Sequence, residues 1–121
     1  MNIEQKIKSY KENLDCFEET MDKYKYLLDQ GKKAKPFPEE YRKDIFKIEG
    51  CQAQVWLIPK YENNKLNFFS DSDAFLTKGM ITILVDIYGN NRPIEILNSD
   101  FNLLNSLNLD TILTPVRRNG V

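Results

Sequence analysis

The sequence predicts an α+β domain in which helices pack on a small antiparallel β-sheet. Three observations carry that expectation. A helix-period apolar stripe opens the chain, two runs rich in Val, Trp, Leu, Ile and Phe flank a polar turn near its middle, and an almost uncharged apolar segment follows them. These strands are too few for a parallel α/β sheet, which needs strands and helices in alternation. At 121 residues, with 41% hydrophobic content and 12% aromatics, the chain has single-domain size and enough apolar side chain for one core.

In the first stretch, apolar residues fall at Ile3, Ile7, Tyr10, Leu14, Phe17, Met21, Tyr24 and Leu28, with spacings that alternate four and three. Such spacing lays them along one side of a helix and leaves Lys6, Lys11, Asp15, Asp22 and Lys25 on the others. The stripe predicts one helix packed by one face on the sheet, with Cys16 off the stripe as a bystander thiol. Gly31 reads as its C-terminal cap, and Lys32-Lys33-Ala34-Lys35-Pro36-Phe37-Pro38 as a solvated, proline-punctuated turn. The lysines also suit the negative end of the helix dipole. Pro38-Glu39-Glu40-Tyr41-Arg42-Lys43-Asp44 places proline and acids at a helix start, so a short helix is expected before Ile45 and Phe46.

After Gly50 the pattern changes to a hairpin: a strand over Gln52 to Ile58, turn material at Tyr61-Glu62-Asn63-Asn64-Lys65, and a strand over Leu66 to Ser70. Period-two geometry gives Ala53, Val55 and Leu57 one face, and Cys51 would continue that row if the strand reached it. Apolar surroundings would favour its neutral thiol. Asp71-Ser72-Asp73 has cap chemistry for a helix over Ala74 to Tyr88, with Phe75, Leu76, Met80, Ile83, Leu84 and Ile87 on its broad apolar side. Lys78 and Asp86 are its main charges, so it is the expected backing of the sheet. Gly79 inside it costs about 1 kcal/mol relative to alanine. A glycine so placed marks close approach of another backbone, and the Cys51 loop is the expected neighbour. Gly89-Asn90-Asn91 ends this helix, Pro93 opens a short one through Leu97, and Ser99-Asp100 begins a last helical piece carrying Phe101, Leu103, Leu104 and Leu107. Leu113 to Gly120 is irregular, with Arg117 and Arg118 suited to a carboxylate or an acidic partner surface.

Composition removes several function classes. Seventeen basic against eighteen acidic residues, with no long run of either sign, recommend neither nucleic acid nor an anionic membrane. No apolar run approaches the roughly 20 residues of a membrane span. The N-terminal MNIEQKIKSYKEN lacks the apolar core of a signal peptide, so a cytoplasmic location is expected. Two cysteines and no histidine fall short of the about four ligands that zinc or an iron–sulfur cluster takes, so no metal is expected. The glycines form no phosphate-binding loop. Asp71 and Asp73 have the residue type for acid–base work, but their place between a strand and a helix favours capping. Cys51 is the one obvious nucleophile. On the residues alone it stands between an ordinary buried cysteine and a reactive thiol.

A resemblance decides between them. Gly50-Cys51-Gln52-Ala53-Gln54-Val55-Trp56-Leu57 resembles the G-C-Q-S-Q-V-W-[LIV] signature of the SufE family, the sulfur-acceptor proteins that work with SufS-type cysteine desulfurases. Tyr24-Lys25-Tyr26-Leu27-Leu28-Asp29-Gln30-Gly31 is similar to that family's first-helix ending, and Asp71-Ser72-Asp73-Ala74 with Lys78-Gly79 to its D-S-D-A-x-[IL]-[VT]-K-G element. Leu113-Thr114-Pro115 with Arg117, Asn119 and Gly120 resembles its L-[ST]-P-S-R-x-[NQ]-G. Ala53 and Val116 replace serines of the pattern, and Arg118 adds a charge. The family continues into a further C-terminal helix, whereas this sequence stops at Val121, so residues 1–121 are expected to form a single SufE-like domain without that helix.

The resemblance implies that Cys51 accepts persulfide sulfur from the desulfurase, stimulates that enzyme and passes the sulfur toward iron–sulfur cluster assembly on a SufBCD-type scaffold. It implies partner contact or loop control for Gly50, Gln52, Gln54, Asp73, Lys78 and Arg117. No cofactor of its own is implied, because pyridoxal phosphate belongs to the partner, and the chain would be an accessory protein rather than a stand-alone enzyme. Two other readings stand beside it: a non-carrying allosteric adapter of the desulfurase, and a thiol redox protein using Cys51 and Cys16, which the absence of a CxxC disfavours.

Overall fold

Asn2 and Gln5 open the first helix reciprocally. The Asn2 side chain accepts from the Gln5 N–H at 2.8 Å, and Gln5 Oε1 accepts from the Asn2 N–H at 2.9 Å, which satisfies two otherwise unpaired donors. This helix, α1, runs Ile3–Asp15 and buries Ile3, Ile7 and Leu14. The computed structural model describes residues 2–48, 53–99 and 107. In it the single helix expected to continue to Leu28 is two, because the chain leaves helical geometry after Cys16 and restarts as α2, Thr20–Lys32. Phe17 turns at the break, its N–H donating to the Leu14 carbonyl at 3.2 Å and its ring tilted against Tyr26 with centroids 5.7 Å apart.

The break re-phases the second helix. Its inward residues are Tyr24, Leu27 and Gly31, three and four apart, whereas Met21 and Leu28 of the predicted stripe are 58% and 37% exposed. Gly31 therefore does not stop the helix; it lies buried in the last turn. There α2 crosses α3, Phe75–Tyr88, so closely that a β-carbon on Gly79 would sit 2.0 Å from the Leu27 carbonyl oxygen, and one on Gly31 would sit 3.2 Å from the Gly79 nitrogen. The backbone that Gly79 admits is thus that of α2, while the Cys51 loop expected there lies outside the described residues.

Between the helices and the sheet, two short 3₁₀ turns, Glu39–Tyr41 and Asp44–Phe46, replace the predicted short helix. The hairpin follows as β1, Val55–Glu62, and β2, Lys65–Ser72, antiparallel with Val55 opposite Ser72 and Glu62 opposite Lys65. Both strands run past the C-terminal ends of their apolar runs, while β1 starts at Val55, later than the expected Gln52, with Ala53 and Gln54 outside it. Asn63 and Asn64, with φ of 53° and 63°, make the tight left-handed turn that matches strand twist. Alternation puts Trp56 and Ile58 on one face, where they join Phe37 in a small cluster flanked by Tyr41, Phe46 and Phe69. The larger core lies among the helices, with Leu14, Leu27, Ile83, Ile87 and Leu107 at its centre.

α3 packs on both α2 and β2 and buries Thr77, Met80, Ile81, Ile83 and Ile87. Phe75, placed with the apolar side by periodicity, is instead 77% exposed at the helix start. After α3, Asn90 rather than Gly89 takes the left-handed backbone, with φ of 60°. α4, Pro93–Leu97, begins at the proline as expected, with the Arg92 N–H and guanidinium both donating to Glu95 Oε1. Of the predicted last helical piece, Leu107 is described and buried; Phe101, Leu103 and Leu104 lie outside the described residues, as does the stretch from Leu113. Among the described residues no helix is long and apolar enough to cross a membrane.

Candidate functional site

The predicted site centres on Cys51, which with Gly50, Gln52 and Arg117 lies outside the described residues. The structure supplies the frame that holds the chain on both sides of it. Before the cysteine, Lys47 bridges to Trp56 and the Ile48 N–H donates to the Val55 carbonyl at 2.8 Å. After it, Gln54 and Asp73 are locked to each other: Asp73 Oδ1 accepts from the Gln54 N–H at 2.8 Å, and the Asp73 N–H donates to the Gln54 carbonyl at 3.2 Å. Ile48 before Cys51 and Gln54 after it are thus both hydrogen-bonded at the open end of the hairpin.

Asp73 is exposed, and its carboxylate is spent on this backbone clamp rather than on α3. Ala74 is the N-cap residue of α3, with no side-chain cap bond, and Ser72 Oγ accepts from the Ala74 N–H at 3.2 Å. The capping role expected for Asp71 and Asp73 is therefore absent. Asp71 lies inside β2, which runs on to Ser72, and Asp73 directly follows the strand with its carboxylate on the Gln54 N–H, so neither caps α3.

Asp71 anchors a charged cluster under the same end of the hairpin. Its Oδ2 lies 2.8 Å from the Arg42 guanidinium, its Oδ1 lies 3.3 Å from Lys78 Nζ, and Oδ1 also accepts from the Ser72 N–H at 2.8 Å. Arg42 in turn forks onto Glu39 at 2.9 and 3.0 Å, and stacks its guanidinium 4.9 Å from the Trp56 ring centroid and 5.1 Å from that of Phe37. Burial works to raise the Asp71 carboxyl, but bonds from Arg42, the Ser72 N–H and Lys78 outweigh it and hold the group below the usual carboxylate range. The bonds to Glu39 and then Asp71 push Arg42 further up, so it is a permanent cation. Glu39 is held low chiefly by its bond from Arg42.

Of the predicted site residues described, the structure brings Gln54 and Asp73 together and places Lys78 one ion pair away, through Asp71. Arg42 escaped the sequence reading. Its signals were a position three after Glu39 and a setting between aromatics, Phe37 and Tyr41 before it and Trp56 after. Two exposed apolar side chains flank the frame, Ile45 at 82% and Phe75 at 77%. Cys16 is exposed at the end of α1, its thiol against the Glu12 carbonyl at 3.2 Å. Among the described residues no cluster of His, Cys, Asp and Glu side chains is placed to hold a metal.

Residues 8–121 match the SufE family model, described as an Fe-S metabolism associated domain. A protein named cysteine desulfuration protein SufE, from Wigglesworthia glossinidia brevipalpis, is 37% identical over 111 residues, covering 90% of this chain and 77% of that one. An uncharacterized SufE-like protein of Synechocystis sp. is 35% identical over 98 residues, covering 81% of this chain and 62% of that one. The solution structure of a hypothetical protein from Thermus thermophilus superposes with a TM-score of 0.75 over 95% of this chain and 84% of its own, at 19% identity, which establishes the shared fold.

Proposed function

The chain belongs to the SufE family, and from that premise we propose that it is a sulfur acceptor which takes sulfane sulfur from a SufS-type cysteine desulfurase onto Cys51. It stimulates that enzyme and delivers the sulfur to iron–sulfur cluster assembly on a SufBCD-type scaffold in the cytoplasm. The family's association with Fe-S metabolism and the name of the Wigglesworthia relative support this reading. Pyridoxal phosphate belongs to the desulfurase, and the acceptor contributes a thiolate.

Transfer is an exchange between sulfurs. The Cys51 thiolate attacks the outer sulfur of the enzyme's persulfide, a new S–S bond forms, the old one breaks, and the desulfurase thiolate leaves with the bonding pair. The persulfide hydrogen stays with the transferred sulfur or passes to solvent, and no net oxidant or reductant is consumed. Such attack needs a deprotonated, accessible thiol at the moment of docking. The observation that carries the reading is the pair of hydrogen bonds that joins Gln54, three residues past Cys51, to Asp73. With the Ile48–Val55 bond it ties the chain before and after the cysteine, at Ile48 and at Gln54, to the open end of the hairpin. Gly50, Gln52 and Arg117 are assigned to loop control or partner contact, Gln54 and Asp73 to the clamp, and Lys78 to the charged cluster beneath it.

Mixing the chain with a SufS-type desulfurase, cysteine and pyridoxal phosphate, then taking intact masses of the wild type and Cys51→Ser, tests the proposal. A sulfur-sized gain on the wild type alone, with faster sulfide release under reductant, is the expected result. No gain on either, with the desulfurase still accelerated, would convert the reading to a non-carrying adapter.

A further inference from the structure

β2 has one open stretch of edge, and the phase of the hairpin ladder identifies it. The Leu66 N–H donates to the Asn91 carbonyl and its carbonyl accepts from the Asn90 N–H, each at 2.8 Å, so Leu66 turns its backbone groups away from β1. In an antiparallel pair that orientation repeats every second residue, which sends the N–H and C=O of Phe68 and Ser70 outward as well. Pro59 lies opposite Phe68, as the same phase requires of a residue with no N–H to give. The far end agrees, since Val55, opposite Ser72, gives its carbonyl to Ile48.

Both ends of this edge are closed. Asn90 and Asn91 occupy Leu66, and the Asp71 carboxylate takes the Ser72 N–H. Between them, the outward groups of Phe68 and Ser70 have no partner among the described residues. They line a groove of about 770 Å³ walled by the end of α2 and by Thr82 and Val85 of α3. Four lysines border it. Lys6 is committed to Asp86, at 3.5 Å, and Lys60 stands over the Phe69 ring with Glu62 at 3.8 Å. Lys33 and Lys35 have no ion pair among the described residues.

We propose that this edge is a docking site for an extended, acidic segment of a partner protein, which joins the hairpin as a third strand. Its backbone pairs with Phe68 and Ser70, and its carboxylates meet Lys33, Lys35 and Lys60. Strand addition of this kind takes affinity from main-chain bonds and specificity from the flanking side chains. The charge selects the occupant: a second copy of this chain, paired edge to edge, would bring its own lysine cluster against this one. The site does not depend on the role proposed for Cys51.

The test uses the isotope-labelled full chain and three synthetic peptides: one alternating glutamate with valine or threonine, its lysine-for-glutamate counterpart, and an N-methylated form of the acidic one. The acidic peptide is expected to shift the Phe68 and Ser70 amide resonances and slow their exchange with solvent. Lys33→Glu with Lys35→Glu is expected to weaken it about tenfold, in proportion to the lost charge pairing. Ser70→Pro removes an outward donor while sparing the β1 ladder, and should weaken it similarly with sulfur uptake at Cys51 unchanged. The proposal is overturned if the acidic peptide does not bind, if the lysine peptide binds equally well, or if N-methylation and Ser70→Pro leave its affinity intact. A peptide-free dimer abolished by Ser70→Pro would assign the edge to a second copy instead.

Discussion

Gly79→Ala places one methyl group where α2 and α3 touch, and the geometry sets its cost. The new carbon would lie 2.0 Å from the Leu27 carbonyl oxygen and 2.6 Å from its carbonyl carbon, both backbone atoms with no rotamer to yield. A comfortable carbon–oxygen contact is roughly 3.3 Å or more, so the helices must part by more than about 1 Å. Overpacking of this kind costs up to about 3 kcal/mol, while alanine returns about 1 kcal/mol of helix propensity. The net expectation is a loss of about 2 kcal/mol, which for a chain of this size lowers Tm by roughly 7 °C. Leu27 and Ile83, both 0% exposed beside the crossing, would feel the separation too. Gly31→Ala is the control: its carbon meets Gly79 at 3.2 Å, a few tenths of an ångström of adjustment, so propensity and crowding should nearly cancel. Urea and thermal melts followed by far-ultraviolet circular dichroism compare the two. A Gly79→Ala protein as stable as the wild type, or less damaged than Gly31→Ala, would refute the close-crossing argument.

Asp71→Asn should flatten the acid limb of the stability curve. Because the folded carboxyl is held below its ordinary range, its contribution is full above that range and lost as pH falls through it toward the lower folded value; an unchanged acid limb would contradict the cluster. Asp73→Ala removes the side-chain half of the clamp on Gln54, at a stability cost of about 1 kcal/mol or less given its exposure, and should speed alkylation of Cys51 by iodoacetamide several-fold. An identical alkylation rate would mean that the clamp does not govern the cysteine segment. Phe75→Ser, at a side chain 77% exposed, should leave Tm within about 1 °C but weaken stimulation of the desulfurase; equal stimulation would exclude Phe75 from the docking surface. Asn64→Gly relieves a left-handed residue in the hairpin turn and should raise stability by about 0.5 kcal/mol, read as a higher urea midpoint.

What the sequence disclosed, and what it concealed, follows from how far each signal reaches. Periodicity located α1, both strands and α3 because burial of alternate or third and fourth residues is a local pattern. It ran two helices into one because Phe17, the residue at the break, is itself apolar and stays half-buried against Tyr26, so the stripe shows no gap. Gly31 and Gly79 each read locally, as a stop and as a weak point. Their meaning is mutual and needs the crossing to be seen. Asp71 and Asp73 carry the right chemistry for a cap, yet strand β2 continues past the point where its apolar run ends, and their partners Arg42 and Gln54 are remote in sequence. The candidate site was legible as a motif around Cys51. Its support was not, since hydrogen bonds between segments leave no periodic trace.

That support explains why the cysteine motif continues directly into a strand. Gln54 and Val55 are bonded on opposite sides, to Asp73 and to Ile48, so the end of the segment bearing Cys51 is fixed by two separate parts of the chain. Asp73 is followed after one residue by α3, and α3 is set against α2 by a crossing with no room for a β-carbon at Gly79. Displacing Asp73 as a whole therefore means moving a helix with a buried face as well as breaking its bonds to Gln54.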